Sequence, residues 1–255
     1  MIRTLATMIT ILVLTPVLAT MVIVASFLGV KPKPGGLLQK APQWWAKGLL
    51  GAAGVDVVVH GEERMRTGEP RIFVCNHVSW FDVLALAASL PRYSFVAKAE
   101  LFRIPLFGRG ALAVGTIPIE RENRKQAFES YKVAADRIRA GASVVVYPEG
   151  TRGKSYALRP FKKGPFVLAV AAGVPVVPTI VYGSIEVLPR NSLRLHRGRT
   201  IHVHFLEPVD AAGLRYEDRD GLMRTVYERM ADAMRTLYGV HSPVLEAEPR
   251  NRAAS

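Results

Sequence analysis

The sequence predicts an α/β fold with a layered, mixed β-sheet flanked by helices and an N-terminal membrane-associated helical motif. Two observations support this prediction. After Gly54, short apolar runs alternate with amphipathic stretches, as in layered α/β domains. Before Lys31 the chain is apolar and carries no charge from Thr4 to Val30. We expect membrane-anchoring helices in residues 1–54, one α/β domain in 55–240 and a flexible tail in 241–255.

Charge and composition narrow the function classes. The 255 residues carry a net charge of +13, which favours nucleic acid, anionic lipid headgroups or phosphorylated substrates as partners. We expect no nucleic-acid partner, because the sequence has no zinc finger, basic leucine zipper or aromatic RNA-binding signature. The single cysteine, Cys75, excludes an internal disulfide framework and a zinc site built from cysteines.

The segment from Thr4 to Val30 is the first predicted element. As a helix it is about 40 Å long, more than the roughly 30 Å apolar thickness of a bilayer. A signal peptide has a shorter apolar core of about 7 to 15 residues, so we expect membrane insertion. Pro16 is expected to kink or split the helix, and both a spanning helix and a bent hairpin in one leaflet remain open.

The segment from Leu37 to Gly54 is the second predicted helix, and it is amphipathic. Its paired Trp44 and Trp45, with Lys40 and Lys47, fit the headgroup boundary of a membrane. An amphipathic helix packed on its own domain is the alternative.

Positive charge follows the apolar run. Only Arg3 and the amino terminus precede it, whereas several lysines follow, from Lys31 to Lys47. The positive-inside rule therefore predicts that the α/β domain lies on the cytoplasmic face of the membrane.

The α/β domain is predicted to contain seven strands and four helices. The predicted strands are Val55–His60, Arg71–Cys75, Tyr93–Ala97, Ala113–Ile119, Ser143–Tyr147, Val174–Val181 and Arg199–Leu206. The predicted helices are Trp80–Ser89, Asn123–Ala140, Pro165–Ala172 and Gly221–Tyr238.

The first chemical signal follows the second strand of the domain. His77 falls in the turn between a strand and a helix, and Asp82 falls in the first turn of that helix. An aspartate that accepts from one imidazole nitrogen fixes the tautomer and leaves the other nitrogen free to take a proton. Two nearby side chains are candidate nucleophiles, but Ser79 is expected to be the helix N-cap and Cys75 to be buried packing.

Three more blocks follow in the chain: Gly115-Thr116-Ile117-Pro118-Ile119-Glu120-Arg121, Tyr147-Pro148-Glu149-Gly150-Thr151-Arg152 and Val174-Pro175-Val176-Val177-Pro178. With Asn76-His77 and Asp82, they resemble the four sequence blocks of the glycerolipid acyltransferases, specifically the 1-acyl-sn-glycerol-3-phosphate acyltransferases. The resemblance covers roughly residues 70 to 180. Pro118 stands where this family commonly has an aromatic residue.

The resemblance implies a role for each block. His77 is expected to be the general base with Asp82 as its partner, while Arg121 and the segment Glu149, Gly150, Thr151 and Arg152 bind the glycerol-phosphate acceptor. Arginine offers a forked set of donors that matches a phosphate, and glycine lets the backbone come close to it. Lys98 is a further cation that faces either the acceptor phosphate or solvent.

The expected reaction is therefore transfer of a fatty acyl chain from a thioester to the sn-2 hydroxyl of lysophosphatidic acid. The expected partners are the membrane surface and a thioester of acyl carrier protein or coenzyme A, with no other cofactor. Another lyso-lipid acceptor, such as lyso-ornithine lipid, and a non-catalytic membrane-anchored lipid-binding protein remain as alternatives.

Two other features of the sequence are expected to have structural roles only. His202 and His204 alternate on the last strand at a spacing that can hold a metal, but we expect an ordinary surface strand and no metal site. Pro175 and Pro178 bracket two valines, which predicts an edge or bulged segment.

Overall fold

A mixed, seven-stranded β-sheet forms the centre of the computed structural model, which describes residues 2–33, 35–65, 68–120, 124–192, 194–196 and 198–245. Helices cover both faces of the sheet, so the predicted fold class is confirmed. The strands are β1 Val55–His60, β2 Ile72–Cys75, β3 Ser94–Lys98, β4 Ile117–Ile119, β5 Val144–Val146, β6 Val176–Tyr182 and β7 Arg199–Phe205. The helices are α1 Ile2–Phe27, α2 Leu37–Ala53, α3 Trp80–Ser89, α4 Phe107–Ala113, α5 Arg124–Arg139, α6 Gly164–Ala172, α7 Ser184–Val187 and α8 Arg219–Tyr238.

The strand order decides where functional residues meet. The sheet runs β1-β7-β6-β2-β5-β3-β4, and the five strands from β6 to β4 are parallel to their neighbours. β7 is antiparallel to β6, while the edge strand β1 is parallel to β7. The carboxyl ends of β2 to β6 therefore lie along one edge of the sheet, where open α/β sheets place their binding sites.

Two apolar layers hold the helices on the sheet. On one face, Ile72 and Val74 of β2 pack with buried residues of α5, α6 and α8, including Phe166 and Met230. On the other face, Phe73 lies among buried residues of α2 and α3. Successive strand residues point to opposite faces, so a central strand that is apolar at every position serves both layers.

The first two helices form an antiparallel pair that packs on the domain. Arg3 near the start of α1 donates a hydrogen bond to the carbonyl of Ala53 at the end of α2 (3.4 Å). Trp45 Nε1 donates to Thr15 Oγ1 at 2.9 Å, joining the middles of the two helices. α1 also packs against α4, and α2 packs against α3. Both helices of the pair therefore pack against the α/β domain.

α1 is long and apolar enough to cross a membrane. It continues unbroken through Pro16, so of the two expected effects a split is excluded and a kink stays a prediction. A proline in a helix removes only one backbone donor, and apolar helices tolerate it where neighbouring groups compensate. Large apolar side chains of α1 stay exposed, among them Leu5, Leu12 and Val17. Trp44 of α2 is about half exposed, while the opposite side of α2 is buried.

One local prediction is wrong. The strand predicted from Ala113 begins only at Ile117, because Phe107–Ala113 forms helix α4 against α1. Of the two alternatives for the segment with Pro178, an edge is excluded because β6 lies between β7 and β2. The bulge is observed: Thr179 pairs with Phe205 and Val176 bridges Val209, so one extra residue of the chain after β7 lies opposite Pro178.

The chain after α8 stays close to the domain as far as the structure describes it. Ser242 Oγ accepts from the backbone N–H of Leu158 at 2.9 Å, and Tyr227 Oη donates to the carbonyl of Pro243 at 2.7 Å. The first residues of the predicted tail are thus tied to the domain, and residues 246–255 lie outside the described part.

Candidate active site

The segments after β2, β5 and β6 meet at the carboxyl edge of the sheet and form the candidate site. His77 follows β2, the segment 147–152 follows β5, and Ser184 follows β6. β2 lies between β5 and β6 in the sheet, so its loop is flanked by the other two. The sheet topology therefore explains why residues far apart in the chain surround His77.

Asn76 guides the chain out of β2. Its side-chain amide donates to the carbonyl of Val181 at 3.0 Å and accepts from the N–H of the same residue at 2.8 Å. The amide thus replaces a backbone rung between β2 and β6 after β2 has ended. This pair fixes the point at which the turn carrying His77 begins.

His77 and Asp82 form the expected pair. The distance from His77 Nδ1 to Asp82 Oδ2 is 2.9 Å, and the Asp82 side chain is completely buried. Because a carboxylate only accepts hydrogen bonds, Nδ1 carries the proton and Nε2 of the neutral ring is the nitrogen that can take one. The prediction that Asp82 reaches back to the imidazole is confirmed.

Further donors hold the Asp82 carboxylate in place. The backbone N–H groups of Val78 and Ser79 donate to Oδ2 at 2.6 and 2.8 Å. The hydroxyl of Ser184 donates to Oδ1. Hydrogen bonds of this kind replace the water that a buried carboxylate loses.

Neither candidate nucleophile is well placed to react. Ser79 is the N-cap of α3, where its Oγ accepts from the N–H of Phe81 at 3.3 Å and donates to the carbonyl of Leu188 at 2.8 Å. Cys75 is buried, and this burial raises the pKa of its thiol well above the usual value. The expected cap and packing roles are confirmed, and the geometry favours His77 as the reacting group.

Tyr147 forms one wall beside His77. The two rings are stacked with their centroids 4.1 Å apart and 25° between their planes, and 15% of the His77 side chain is exposed. The ring of His77 is thus held on one side by Tyr147 and at Nδ1 by Asp82. A base held in this way loses little freedom when a substrate binds.

Glu149 lies behind the His77 turn, only 3% exposed. Its Oε1 accepts from the backbone N–H of His77 at 3.0 Å, and its Oε2 is buried with no partner among the described residues. Burial raises the pKa of Glu149 to about 7, although the His77 N–H and the backbone and charge of Arg159 act in the opposite direction. Glu149 therefore supports the turn of His77, and its expected contact with substrate stays a prediction.

The remaining predicted residues of this block form a basic loop. Gly150 has a φ of 75°, which favours glycine, and Thr151 is exposed. The guanidinium of Arg152 lies over the ring of Trp80, 5.1 Å from its centroid. Among the residues that the structure describes, Arg152 makes no ion pair with a carboxylate. A side chain at position 150 would lie next to the stem of Lys162, which adds a second positive charge to this loop.

Two other cations, Lys98 and Arg121, are predicted to contact the acceptor. Lys98 ends β3 and forms an ion pair with Glu100 at 2.7 Å, and its side chain is 45% exposed. Arg121 lies outside the described residues. Their expected contacts with a phosphate stay predictions.

Comparison with known proteins identifies the family. A protein-family profile described as "Acyltransferase" matches residues 56–182. A lyso-ornithine lipid O-acyltransferase of Pseudomonas aeruginosa is 30% identical over 222 residues, covering 81% of this chain and 82% of the relative. The chain belongs to this acyltransferase family.

Two further matches describe the range of the family. A chloroplastic 1-acyl-sn-glycerol-3-phosphate acyltransferase of Brassica napus is 32% identical over 152 residues, which cover 59% of this chain but only 44% of the plant protein. The crystal structure of the 1-acyl-sn-glycerophosphate acyltransferase of Thermotoga maritima superimposes with a TM-score of 0.78 at 25% identity, covering 94% of this chain and 97% of that one. The apolar helix α1 and these relatives together indicate membrane association for this member of the family.

Three supporting residues were missed at the sequence level. Tyr147 and Asn76 belong to sequence blocks that give them no role of their own, and no pattern in the sequence marks Ser184. Ser184 acts on Asp82 from 102 positions along the chain, and only the pairing of β6 with β2 brings them together. No local pattern marks such a residue.

A cluster of three histidines lies away from this site. His60 at the end of β1 meets His202 and His204 of β7, and the ring centroids of His60 and His204 are 4.2 Å apart. Burial, together with the neighbouring His60 and His202, lowers the pKa of His204 to about 4. His202 and His204 share one face of the strand as expected, but the contact with His60 was not foreseen. We call these residues the three-histidine cluster.

Proposed function

We propose that this chain transfers a fatty acyl group from an acyl thioester to the sn-2 hydroxyl of lysophosphatidic acid, giving phosphatidic acid. The observation that carries the proposal is the His77–Asp82 pair beside the basic loop of Arg152. A protein that only binds lipid needs cations for a phosphate, but it has no use for a buried carboxylate aligned on a histidine. The relatives named for acylation of glycerophosphate add support.

The proposed mechanism is direct transfer with His77 as general base. Nε2 of His77 removes the proton from the acceptor hydroxyl while the hydroxyl oxygen attacks the thioester carbonyl carbon. The carbon–sulfur bond then breaks, and His77 gives its proton to the leaving sulfur, which departs as a thiol. General-base catalysis of this kind contributes about 10²- to 10⁴-fold in rate. The negative charge of Asp82 stabilises the imidazolium that forms in between.

We propose that Arg152 provides the main anchor for the phosphate of the acceptor, with Thr151 and the backbone at Gly150 beside it. The contact with the face of the Trp80 ring positions the guanidinium without using its hydrogen-bond donors on a carboxylate. A phosphate monoester can then take two parallel hydrogen bonds from the fork. Lys98 and Arg121 are proposed as further cations for the same group.

We propose a thioester of acyl carrier protein or of coenzyme A as the acyl donor, with no other cofactor. Both donors are acidic, so the net charge of +13 favours their approach. In the mechanism above, the chemistry needs only a base, its partner and cations for the acceptor.

The relative from Pseudomonas aeruginosa supports a second candidate acceptor. Its printed name is that of a lyso-ornithine lipid acyltransferase, and it matches 81% of this chain. A lyso-ornithine lipid offers a hydroxyl to the same base but carries an amino acid headgroup in place of a phosphate. The effect of replacing Arg152 on acyl transfer therefore distinguishes these two acceptors.

We propose that the α1–α2 pair inserts into one leaflet and places the domain on the cytoplasmic face. Arg3 lies at the same end of the pair as Ala53, beside the domain, which supports insertion from one side over a helix that crosses the bilayer. The exposed apolar side chains of α1 then meet lipid, as in interfacial helices. Protease added outside sealed cells should leave the domain intact, and digestion there would contradict the proposed side.

The decisive experiment compares acceptors with purified, detergent-solubilised full-length protein. Each thioester is supplied with lysophosphatidic acid, lyso-ornithine lipid or neutral monoacylglycerol, and the products are identified by mass spectrometry. We expect phosphatidic acid to be the main product. His77→Ala should abolish its formation, and near-normal turnover by this variant would overturn the mechanism.

Arg152→Ala tests the substrate class. We expect a loss on the order of 2 to 5 kcal/mol in transition-state binding for lysophosphatidic acid, and far less for monoacylglycerol. Arg152→Lys should recover only part of the activity, because an ammonium lacks the planar fork. Arg235→Ala, an exposed arginine of α8, is the matched control. Equal losses on both acceptors with a lowered Tm would identify Arg152 as a scaffold residue.

A further inference from the structure

The three-histidine cluster is built by strand pairing. In the parallel pair of β1 and β7, His60 is aligned with His204. His202 lies two positions earlier on β7 and therefore on the same face of the sheet. The three residues come from strands 142 positions apart in the chain, so the sheet itself fixes their approach.

The spacing of the ring nitrogens fits a metal ion. One nitrogen from each histidine can be chosen so that all three lie within 4.8 Å of one another. His60 Nε2 and His202 Nδ1 are 3.2 Å apart. In a tetrahedral site with metal–nitrogen distances of about 2.0 to 2.1 Å, neighbouring ligand nitrogens are about 3.3 Å apart. The His60–His202 pair therefore already has the required separation, whereas the stacked rings of His60 and His204, with 7° between their planes, must turn before both in-plane lone pairs point at one ion.

Tyr238 of α8 orients the third ring. His204 Nε2 and Tyr238 Oη lie 2.5 Å apart, which leaves Nδ1 of His204 as its second polar atom. Tyr238 is held in turn by stacking on Tyr182 at 3.7 Å between ring centroids. Histidines that bind metals almost always have their other nitrogen fixed by a hydrogen bond of this kind.

We propose that the three-histidine cluster binds one divalent transition-metal ion, with Zn²⁺ the best fit, through three imidazole nitrogens. His60 is exposed, so solvent can fill the fourth position. Three imidazoles suit Zn²⁺, Ni²⁺ or Cu²⁺ and disfavour Mg²⁺ and Ca²⁺, which prefer oxygen ligands.

The ion joins β1 to β7 and has no part in acyl transfer. β7 lies two strands from β2, roughly 10 Å across the sheet at the usual strand spacing, and β1 lies one strand further. β1 is an edge strand with one neighbour, and it directly follows α2 of the membrane-associated pair. Metal ligands on both strands secure this edge at the end of β1 that lies opposite its junction with α2.

The test uses full-length protein without a histidine tag, freed of metal by a chelator and kept in detergent. Titration with Co²⁺, a spectroscopic substitute for Zn²⁺, should give visible absorption bands that saturate at one ion per chain. Competition with Zn²⁺ then gives the affinity for zinc. Saturation with Zn²⁺ should raise the Tm by several degrees, because an ion that binds only the folded state stabilises it.

Variants of the three-histidine cluster test whether its residues bind the ion. His60→Ala should remove the Co²⁺ bands and weaken Zn²⁺ binding at least 100-fold, and Tyr238→Phe should weaken it about 10-fold, as expected for an outer partner. His241→Ala, an exposed histidine outside the cluster, is the matched control and should bind as the parent does. A circular dichroism spectrum and Tm of metal-free His60→Ala show whether that variant folds, and His202→Asn gives a second test at a position that is only partly exposed. Absence of saturable binding in the parent, or unchanged affinity in folded His60→Ala and His202→Asn, would overturn the proposal.

Discussion

Replacing Glu149 by glutamine should make the protein more stable at alkaline pH. Burial raises the pKa of Glu149 to about 7 from a usual value of 4.5. Above pH 7 the folded protein must hold a buried carboxylate whose Oε2 has no partner among the described residues. Glutamine has nearly the same shape, keeps an oxygen for the N–H of His77 and never ionises.

The size and sign of the effect follow from the pKa shift. Between pH 4.5 and 7 the unfolded chain releases the Glu149 proton while the folded protein keeps it, so the free energy of unfolding falls as the pH rises. The stabilisation from the neutral form is full below pH 4.5 and is lost once the pH has passed 7. A shift of this size corresponds to about 3 kcal/mol in total, of which about 2 kcal/mol is lost between pH 5.5 and 8.5.

The assay is thermal unfolding in detergent at pH 5.5 and 8.5, followed by circular dichroism. We expect the Tm of Glu149→Gln to fall less than that of the parent between these pH values, by about 4 to 8 °C. Glu228→Gln removes an exposed carboxylate of α8 and serves as the control for net charge. The same pH dependence in Glu149→Gln and the parent would refute a buried, largely neutral Glu149.

Two further predictions concern the surroundings of His77. Asp82→Asn should lower kcat about 5- to 30-fold in acyl-transfer assays. A neutral acceptor makes a hydrogen bond to His77 that is about 1 to 2 kcal/mol weaker than that of the charged carboxylate. The loss stays moderate because the two backbone donors of Val78 and Ser79 keep the amide oxygen toward His77. A loss as large as that of His77→Ala would contradict this view. Gly183→Ala should lower the free energy of unfolding, measured in urea, by about 1 to 3 kcal/mol because its φ of 95° is strained for alanine. A clash adds to this loss, because the new Cβ would lie 2.2 Å from a carbonyl oxygen of β7. Gly221→Ala, which has open space around it, should be neutral or stabilising, and equal effects of the two changes would refute the strain.

Local patterns predicted most of the helices and strands. β1 and α3 have the predicted bounds, the latter because Ser79 and Asp82 form a capping box that marks its start. α4 was missed because its seven residues include Gly108 and Gly110, which weaken any helical signal. Close packing against α1 stabilises α4 in place of helix propensity. Gly110 lies so near α1 that a Cβ there would be 3.2 Å from Ala19.

The candidate site also contains some contacts that the sequence predicts and others that only the fold reveals. His77 and Asp82 are five positions apart, so their contact follows from a strand that leads into a helix. Ser184 and His60 act through strand pairing over more than 100 positions, and no spacing in the sequence records which strands are neighbours. Residues that support a site from distant strands are thus visible only in the fold.

The peptide groups around His77 are fixed to a single loop. The N–H of His77 is bonded to the side chain of Glu149, and its carbonyl accepts from the N–H of Gly153 at 2.7 Å. Arg152 stands between these two residues, so the base and the proposed phosphate anchor form one rigid piece. Under the proposed function, the length of this loop therefore fixes the spacing between the hydroxyl and the anionic group of the acceptor.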